Sequence, residues 1–471
     1  MDNSKVVFFL IVAFVCFVIT FFVKNRPRYF LFLLVLFAPL QIGIILRHHN
    51  GIFLMDVPLL CLLVYVLFSR RKFRGYFGIP AAGMILWGLF ASFSAPFPDL
   101  ALHELSRLIR AYLAFLCVIN FTRTREDIHT ILVALLAGLA LQGTIGYFQW
   151  HHGSLGLHFL GESFFAFRAR GLFMHPSFFG NYLVLLIPVT LRLFAFYRPP
   201  KRYQTFIYGF LFSVGKAALY GSYSRGPWLA FAGAIVVMLL FTLFQRRFYP
   251  KIVSVAAFLV LMGTIFVINY TPTIIAQFTD EYRKDSADVR MPLNIVALRM
   301  IQDKWAFGVG MGNYEYSTYK YISPDDPLVS EETPYEHLLQ QVHNTYLIIA
   351  AEIGVPGFLF FIWFLFSVFR AGFRTVKIKN SFISNIGLGL ITGILAILIA
   401  FLASPDYREH QILMMFWILA GFLVTLSKVK VSSKPATRPI KTGIQKNLVR
   451  GQAIRQSTEI RGMTQQSRYM G

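Results

Sequence analysis

The chain has 471 residues, of which 56% are hydrophobic, 17% are aromatic and only 14% are charged. This composition leaves too little polar surface for a soluble globular protein, and the apolar runs repeatedly reach about 17 to 21 residues, the length of a membrane helix. The formal net charge of +23 is compatible with nucleic-acid binding. However, the lysines and arginines form short clusters between the apolar runs, as they do in cytoplasmic loops. We therefore predict a polytopic membrane protein without a nucleic-acid partner.

The apolar runs and the polar gaps between them predict the topology. The run from Val6 to Val23 lacks a strong basic leader and a small-residue cleavage site, so we interpret it as the first span rather than a signal peptide. Basic clusters alternate with less basic gaps, which predicts about thirteen spans with the N-terminus outside, or about twelve if one short run does not cross. Two of these spans are 29–46 and 108–121. Because unpaired backbone groups are costly in lipid, all spans should be helices.

The predicted fold is an all-α, polytopic membrane bundle of about 12 to 13 transmembrane helices, with one large extracytoplasmic loop that contains short helices. We expect N-terminal spans over residues 1–130 and a membrane core over 131–427, which includes the outside loop 270–343. The basic tail over 428–471 has few large apolar residues. We expect this tail to be disordered and cytoplasmic, and to rest on anionic lipid headgroups.

The sequence does not indicate a cofactor. Its three cysteines, Cys16, Cys61 and Cys117, lie in separate apolar spans without metal-ligand spacing, so we expect neither a disulfide nor a zinc site. We also find no glycine-rich phosphate loop in the required strand and helix context. These patterns favour neither a nucleotide site nor a zinc site.

Two arginines, Arg168 and Arg170, lie in an outside loop, where the positive-inside rule disfavours them. One interpretation is that they extend to phospholipid headgroups. The other is a bidentate grip on a phosphate or diphosphate. The histidines of the same loop are too irregularly spaced to favour a metal site: His151, His152, His158 and His175.

A third outside arginine, Arg225, lies in a tight polar loop between two apolar spans, and Lys216 falls within the preceding span. A buried charge in a span usually faces a cavity or a partner, which makes Lys216 a candidate functional residue. The alternative is that the span ends one turn earlier than predicted, so that Lys216 lies in the interface.

The largest outside loop is longer than a connection needs, which favours a function for it. After Arg290, apolar residues recur at helical spacing and predict an amphipathic helix on the bundle or in the membrane interface. The predicted apolar face consists of Met291, Ile295, Leu298, Ile301 and Trp305. Acidic residues follow, which form either a solvated face or a divalent-ion site: Asp325, Asp326, Glu331, Glu332 and Glu336.

The chain then enters an apolar helix through the segment His337 to Gly357. His343 lies where water gives way to hydrocarbon, and an imidazole in that position can act as a base. Asn344 is a favoured helix cap, so the alternative is that both residues only begin a membrane helix. In the predicted span, Gly354 follows Asn344 after nine residues and Gly357 follows two residues later.

Four segments in this order resemble the O-antigen ligase and polymerase superfamily of bacterial envelope glycan transferases, the Wzy_C or WaaL-like family. The resemblance extends over roughly residues 130–425. One departure is Ser177, which stands where many relatives have Asn. The four segments are Arg168 to Asn181, Ser224 to Gly226, Arg290 with its helix and Gly308 to Asn313, and His343 to Gly357.

The resemblance implies transfer of a preassembled glycan from a polyprenyl (undecaprenyl) diphosphate carrier to an acceptor, at the outer face of the bacterial cytoplasmic membrane. In this interpretation His343 is the general base, and four arginines hold and stabilise the departing diphosphate. The arginines are Arg168, Arg170, Arg225 and Arg290. Asn344, Glu352 and Lys216 are expected to support the site.

The sequence does not decide the identity of the acceptor. A lipid A core as acceptor would define a ligase, another glycan repeat would define a polymerase, and a protein hydroxyl would define a protein oligosaccharyltransferase. Two other classes of protein are alternatives. One is a transporter or flippase of lipid-linked sugars, which would use the same arginines without breaking a bond, and the other is a non-catalytic assembly protein. A transporter would gain support from an inverted repeat or paired broken helices, and we recognise neither in the sequence.

Overall fold

The computed structural model describes residues 3–23, 25–40, 42–47, 50–69, 78–93, 95–156, 168–243, 249–279, 289–331 and 333–429. The tail predicted to be disordered therefore lies outside the described residues from position 430 onward. The helices of the N-terminal half are α1 (Asn3–Phe22), α2 (Arg26–Phe37), α3 (Asp56–Phe68), α4 (Gly78–Phe93), α5 (Pro98–Phe121), α6 (Arg125–His152), α7 (Pro176–Phe196) and α8 (Arg202–Gly221). They are followed by α9 (Arg225–Leu243), α10 (Tyr249–Thr279), α11 (Arg290–Asp303), α12 (Thr345–Val376), α13 (Ser381–Ala400) and α14 (His410–Leu426).

The structure confirms the predicted polytopic helical membrane fold. Within the described ranges, five helices are long and apolar enough to cross a membrane: α6, α7, α9, α12 and α13. Shorter apolar helices cover Val7–Phe22, Asp56–Phe68, Ile79–Phe93, Lys251–Leu261 and His410–Leu426. Short 3-10 turns lie in the polar connections, at Glu315–Lys320, Tyr335–Leu339 and Asp406–Arg408.

The centre of the bundle is the contact between α7 and α13. Their backbones approach so closely that a Cβ at Gly393 would lie 2.1 Å from the carbonyl oxygen of Leu185, and one at Gly389 would lie 2.6 Å from the Cα of Val189. Small residues permit this approach between membrane helices, which is then held by van der Waals packing. The contact aligns the beginning of α7 with the end of α13, where the polar connections meet.

The prediction of a continuous helical span over 29–46 is wrong. The helix α2 ends at Phe37, and Gly43–Arg47 (β1) then pairs in antiparallel register with Asn50–Phe53 (β2). Pro39 has no backbone N–H and so cannot continue the helical hydrogen bonds, and the β-branched residues that follow suit a strand. The β1–β2 pair therefore replaces the outer part of this span.

The prediction that 108–121 is a short span is also wrong, because α5 begins at Pro98 and has 24 residues. Pro98 and Asp99 occupy its first turn, where a missing N–H costs little and a carboxylate suits the helix dipole. The additional turns carry Arg107, which is buried and pairs with Glu104 at 2.7 Å. Paired charges extended the helix beyond its apolar part.

The predicted helix after Arg290 is present as α11, but the predicted apolar face is wrong. The buried residues are Leu293, Val296, Ala297 and Met300, which follow the i, i+3, i+4, i+7 spacing of one helix face. In the predicted set, Met291, Leu298 and Trp305 are exposed. Two apolar rows interleave in this sequence, and packing against the outside loop selects the other row.

The helix α12 has a break at Gly354, where φ is 69° and ψ is 175°. At 32 residues, it is about 48 Å long, whereas the hydrocarbon core is about 30 Å thick. The segment after α11 binds at the break: Val309 N–H donates to the Ala351 carbonyl at 2.8 Å, and Val355 N–H donates to the Trp305 carbonyl at 2.7 Å. These bonds fasten the outside loop to α12.

Candidate functional site

The loop before α7 is fastened to the connection between α8 and α9 by Arg168. Its Nε and Nη2 donate to the carbonyl oxygen of Ser222 at 3.1 and 3.0 Å, and Nη2 also donates to the carbonyl of Tyr223 at 3.3 Å. Ala169 N–H donates to the Gly221 carbonyl at 2.8 Å. The structure thus brings the first predicted arginine segment to the connection that leads into Arg225.

Arg170 points into the protein interior, with 1% of its surface exposed. Its Nη1 donates to the Phe173 carbonyl at 3.0 Å, and its backbone N–H donates to Oε1 of Gln149 at 3.1 Å. Gln149 also donates from Nε2 to the Gly171 carbonyl at 2.9 Å. These bonds fix the shape of the loop and tie it to Gln149 of α6.

His175 begins α7, and its Nδ1 accepts the backbone N–H of Ser177 at 3.1 Å. Burial and the nearby Arg168 charge lower the pKa of His175 to about 4. The imidazole is therefore neutral at neutral pH and stays available as an acceptor for this cap. Because the Arg168 charge acts on His175, Arg168 lies near the start of α7.

Arg225, Arg290 and His343 are linked through their charges. Arg225 is the first residue of α9 and Arg290 is the first residue of α11. Burial lowers the pKa of His343, and the nearby Arg290 charge lowers it further. The pKa of Arg290 is lowered by burial and then by Arg225. Arg290 is therefore close enough for its charge to act on His343, and Arg225 is close enough to act on Arg290.

The residues after His343 join this site to the end of α13. Asn344 caps α12, since its Oδ1 accepts the backbone N–H groups of Tyr346 and Leu347 at 3.0 and 3.2 Å. The next residue, Thr345, donates from Oγ1 to the Ser404 carbonyl at 2.7 Å. The capping role weighed for Asn344 is thus present, while His343 precedes the cap and lies outside the helix.

The sequence analysis missed Asp406, which lies in the short connection between α13 and α14. It is 2% exposed, and its Oδ2 accepts from Asn181 Nδ2 and, at 3.5 Å, from Ser177 Oγ. Burial raises the pKa of Asp406 to about 7, although the Asn181 bond opposes this shift. Ser177, the residue that departs from the family pattern, therefore contacts the buried carboxyl group of Asp406.

Arg408 was also missed, and it pairs with the predicted residue Glu352. The carboxylate of Glu352 accepts from Arg408 Nη2 and, at 3.2 Å, from the backbone N–H of Tyr314. Arg408 Nη1 donates to Gln341 Oε1 at 3.1 Å. A signal existed in the sequence, because one outside connection combines Asp406, Arg408 and a glutamate. Nothing in a single sequence indicated their partners.

Two further residues lie apart from this group. Lys216 is half-buried within α8, and among the described residues its ammonium group forms no hydrogen bond or ion pair. His337 is exposed in the Tyr335–Leu339 turn. His337 therefore lies in a different element from His343, which directly precedes the cap of α12.

The acidic run of the outside loop does not act as one group. Asp326 binds Arg299 at 2.6 Å, while Glu332 lies outside the described residues. In the part of the chain that the structure describes, no cluster of three or more His, Cys, Asp or Glu residues could hold a metal ion. The described contact of Asp326 is therefore an ion pair within the loop.

The group around His343 combines a neutral imidazole with cations. Such a set can remove a proton from a hydroxyl and stabilise negative charge that develops on a leaving group. Arg290 is the cation whose charge acts on His343, and Arg225 acts in turn on Arg290, whereas the contacts of Arg168 and Arg170 fix the adjoining loops. The chemistry suits the displacement of an anionic leaving group by an alcohol.

Comparison with known proteins gives one family. Residues 208–362 match the family model Wzy_C, described as O-antigen ligase. The match confirms the resemblance predicted from the sequence, and it contains Arg225, Arg290 and His343. A search of curated proteins finds no match.

Proposed function

Because residues 208–362 match the O-antigen ligase family model, we propose that this multi-pass membrane protein transfers a preassembled glycan from a polyprenyl (undecaprenyl) diphosphate carrier to an acceptor hydroxyl. The reaction takes place at the outer face of the bacterial cytoplasmic membrane, where the positive-inside rule puts the connections that hold Arg225 and His343. No step is assigned to a nucleotide or a metal ion.

The observation that carries this proposal is the electrostatic group of Arg225, Arg290 and His343. A pKa below the ordinary histidine value leaves the His343 imidazole unprotonated at neutral pH, as a general base must be. The Arg290 charge beside His343, with the Arg225 charge beside Arg290, suits an anionic donor. A polyprenyl diphosphate is such a donor and is already a good leaving group.

In the proposed reaction, His343 takes the proton of the acceptor hydroxyl while the hydroxyl oxygen attacks the anomeric carbon of the donor glycan. The bond between that carbon and the diphosphate oxygen breaks, and the electron pair leaves with the polyprenyl diphosphate. Arg225 and Arg290 stabilise the charge that develops on this oxygen. Arg168 and Arg170 hold the adjoining loops in place through their carbonyl contacts.

Two of the three residues expected to support the site have a role in this arrangement. Asn344 fixes the backbone beside His343 by capping α12, and Glu352 fixes α12 to the connection that carries Arg408. Lys216 has no step in this scheme.

The proposal is tested with purified, reconstituted protein and a defined lipid-linked donor. Three acceptors are supplied separately: a lipid A core, a glycan repeat and a protein substrate. Transfer to one of them supports the proposal and identifies the acceptor class. Movement of the donor across the bilayer without any transfer would instead establish a flippase.

A further inference from the structure

A concave pocket lies in the outside loop at the C-terminal end of α11. It has a volume of about 500 Å³, within the range of small-molecule sites. Asp303, Lys304, Trp305, Lys320 and Tyr321 line it, together with neighbouring backbone. Because α11 has 14 residues, its two ends are about 20 Å apart. Its first residue is the Arg290 of the proposed reaction centre, so this pocket is a separate place.

The walls of the pocket are fixed by hydrogen bonds. Tyr321 donates from its hydroxyl to Asp303 Oδ2 at 2.8 Å, and its carbonyl accepts from Arg299 Nη1 at 2.9 Å. The Trp305 carbonyl accepts the N–H of Val355 at 2.7 Å, which ties this wall to the break in α12. A ligand would therefore meet a preorganised surface.

The lining matches the chemistry of a sugar. A pyranose has a face of C–H groups and a rim of hydroxyls, and C–H groups pack favourably against the negative face of an aromatic ring. The Trp305 ring is 62% exposed at the pocket. Around it, the Asp303 carboxylate accepts hydrogen bonds, and the Lys304 and Lys320 ammonium groups donate them. A lipid phosphate would need only the Lys304 and Lys320 ammonium groups, and the negative charge of the Asp303 carboxylate would repel it.

We propose that this pocket is a glycan subsite, which holds sugars of the substrate glycan at one end of α11 while the bond forms near Arg290 at the other end, about 20 Å away. The inference rests on the proposed function, since it assumes that the substrate is a glycan of several sugars. Donor and acceptor glycans share the chemistry that the pocket recognises. Either can extend along α11 from the reaction centre to Trp305.

The test measures binding without catalysis, using the full-length protein in lipid nanodiscs. One probe is the oligosaccharide released by mild acid from the lipid-linked donor of the source cells, and the other is the delipidated acceptor glycan. We expect the wild type to bind one of these probes, which identifies the source of the sugars. Trp305→Ala should weaken binding about tenfold, the effect of losing an aromatic anchor.

Two further variants make the test specific. Asp303→Asn keeps an acceptor for the Tyr321 hydroxyl but removes the carboxylate, so the protein should stay folded and bind the oligosaccharide less tightly. Tyr319→Ala is the matched control, because Tyr319 is 57% exposed in the same loop and does not line the pocket. It should bind the oligosaccharide as the wild type does.

Each of three results would contradict the subsite. The first is that neither oligosaccharide binds, and the second is that wild type and Trp305→Ala bind equally well. The third is that brominated lipids quench the fluorescence of Trp305 and that added oligosaccharide does not prevent this quenching. The last result would make Trp305 a membrane anchor. A separate measurement tests the proposed function. That function fails if the wild-type protein does not transfer glycan from the lipid-linked donor. A protein that transfers without binding free glycan would lose only the subsite.

Discussion

Gly354 packs directly against the carbonyl oxygen of Ala306, across the break in α12. A Cβ at Gly354 would lie 2.4 Å from that oxygen, and the φ of 69° is one that other residues rarely adopt. The Trp87 indole donates to the same oxygen at 2.9 Å from α4. Gly354 therefore permits the close approach of the loop to α4 and α12, which gives a physical reason for a glycine at this place in the segment His343 to Gly357.

Gly354→Ala should destabilise the protein by more than about 2 kcal/mol, because the unfavourable φ and the steric clash add together. Thermal unfolding of the purified protein measures the effect. Gly263→Ala in α10 is the control, since a Cβ there meets no atom within 4 Å and alanine favours a helix. Equal unfolding temperatures for wild type and Gly354→Ala would contradict the described contact.

Glu352→Gln should destabilise the protein by about 1 to 3 kcal/mol, because it removes the charged hydrogen-bond partner of the partly buried Arg408. The double variant Glu352→Gln with Arg408→Gln should recover part of this loss. Thermal unfolding of the single and double variants gives the coupling between the two residues. Purely additive effects would show that the pair contributes no specific stability.

Arg225→Lys should reduce transfer strongly although the positive charge is kept. A guanidinium can hold two phosphate oxygens at once, whereas an ammonium group is a point charge. The measurement is the transfer rate at equal protein level, and the same substitution applies to Arg168, Arg170 and Arg290. Arg370→Lys, exposed on α12, is the control. Near-normal transfer by Arg225→Lys would reduce this residue to a contact with lipid headgroups.

Arg290→Gln should move the acid limb of the pH profile to higher pH. Transfer needs unprotonated His343, so the rate falls as the pH drops through the pKa of this residue. Burial and the Arg290 charge both lower that pKa, and loss of the charge removes one of the two causes. The pH dependence of kcat/KM reports the shift, and Arg370→Gln should leave the profile in place. An unmoved acid limb in Arg290→Gln would separate Arg290 from the base.

The sequence predicted the helical membrane fold and the order of the site segments, because apolar run length and local motifs carry that information. It did not predict the β1–β2 pair, since Ile44 and its apolar neighbours suit a strand and a membrane helix equally well. It also assigned the wrong face to α11. Leu293 and Met291 both belong to helical apolar rows, and only tertiary packing buries the first and exposes the second.

The site was predicted in part for a related reason. His343 and Arg290 stand in motifs that can be recognised from neighbouring residues alone. The partnership of Glu352 with Arg408 joins positions that are 56 residues apart, and that of Asn181 with Asp406 joins positions 225 residues apart. No local pattern encodes such pairs. The Asn181–Asp406 pair follows from the contact of α7 with α13, which brings the start of α7 to the connection after α13.

The central claim is that His343 is the general base of glycan transfer, and one comparison tests it most directly. Wild type, His343→Ala and His337→Ala are purified, reconstituted with a defined lipid-linked donor and acceptor, and compared in transfer rate and donor binding. His337→Ala is the matched control, because His337 is exposed in a neighbouring turn. It should transfer almost normally.

His343→Ala should stay folded and bind the donor, yet transfer about 10² to 10⁴ times more slowly, the usual effect of losing a positioned base. Equal transfer rates for wild type and His343→Ala would contradict the account, and would leave the arginines alone to promote departure of the diphosphate.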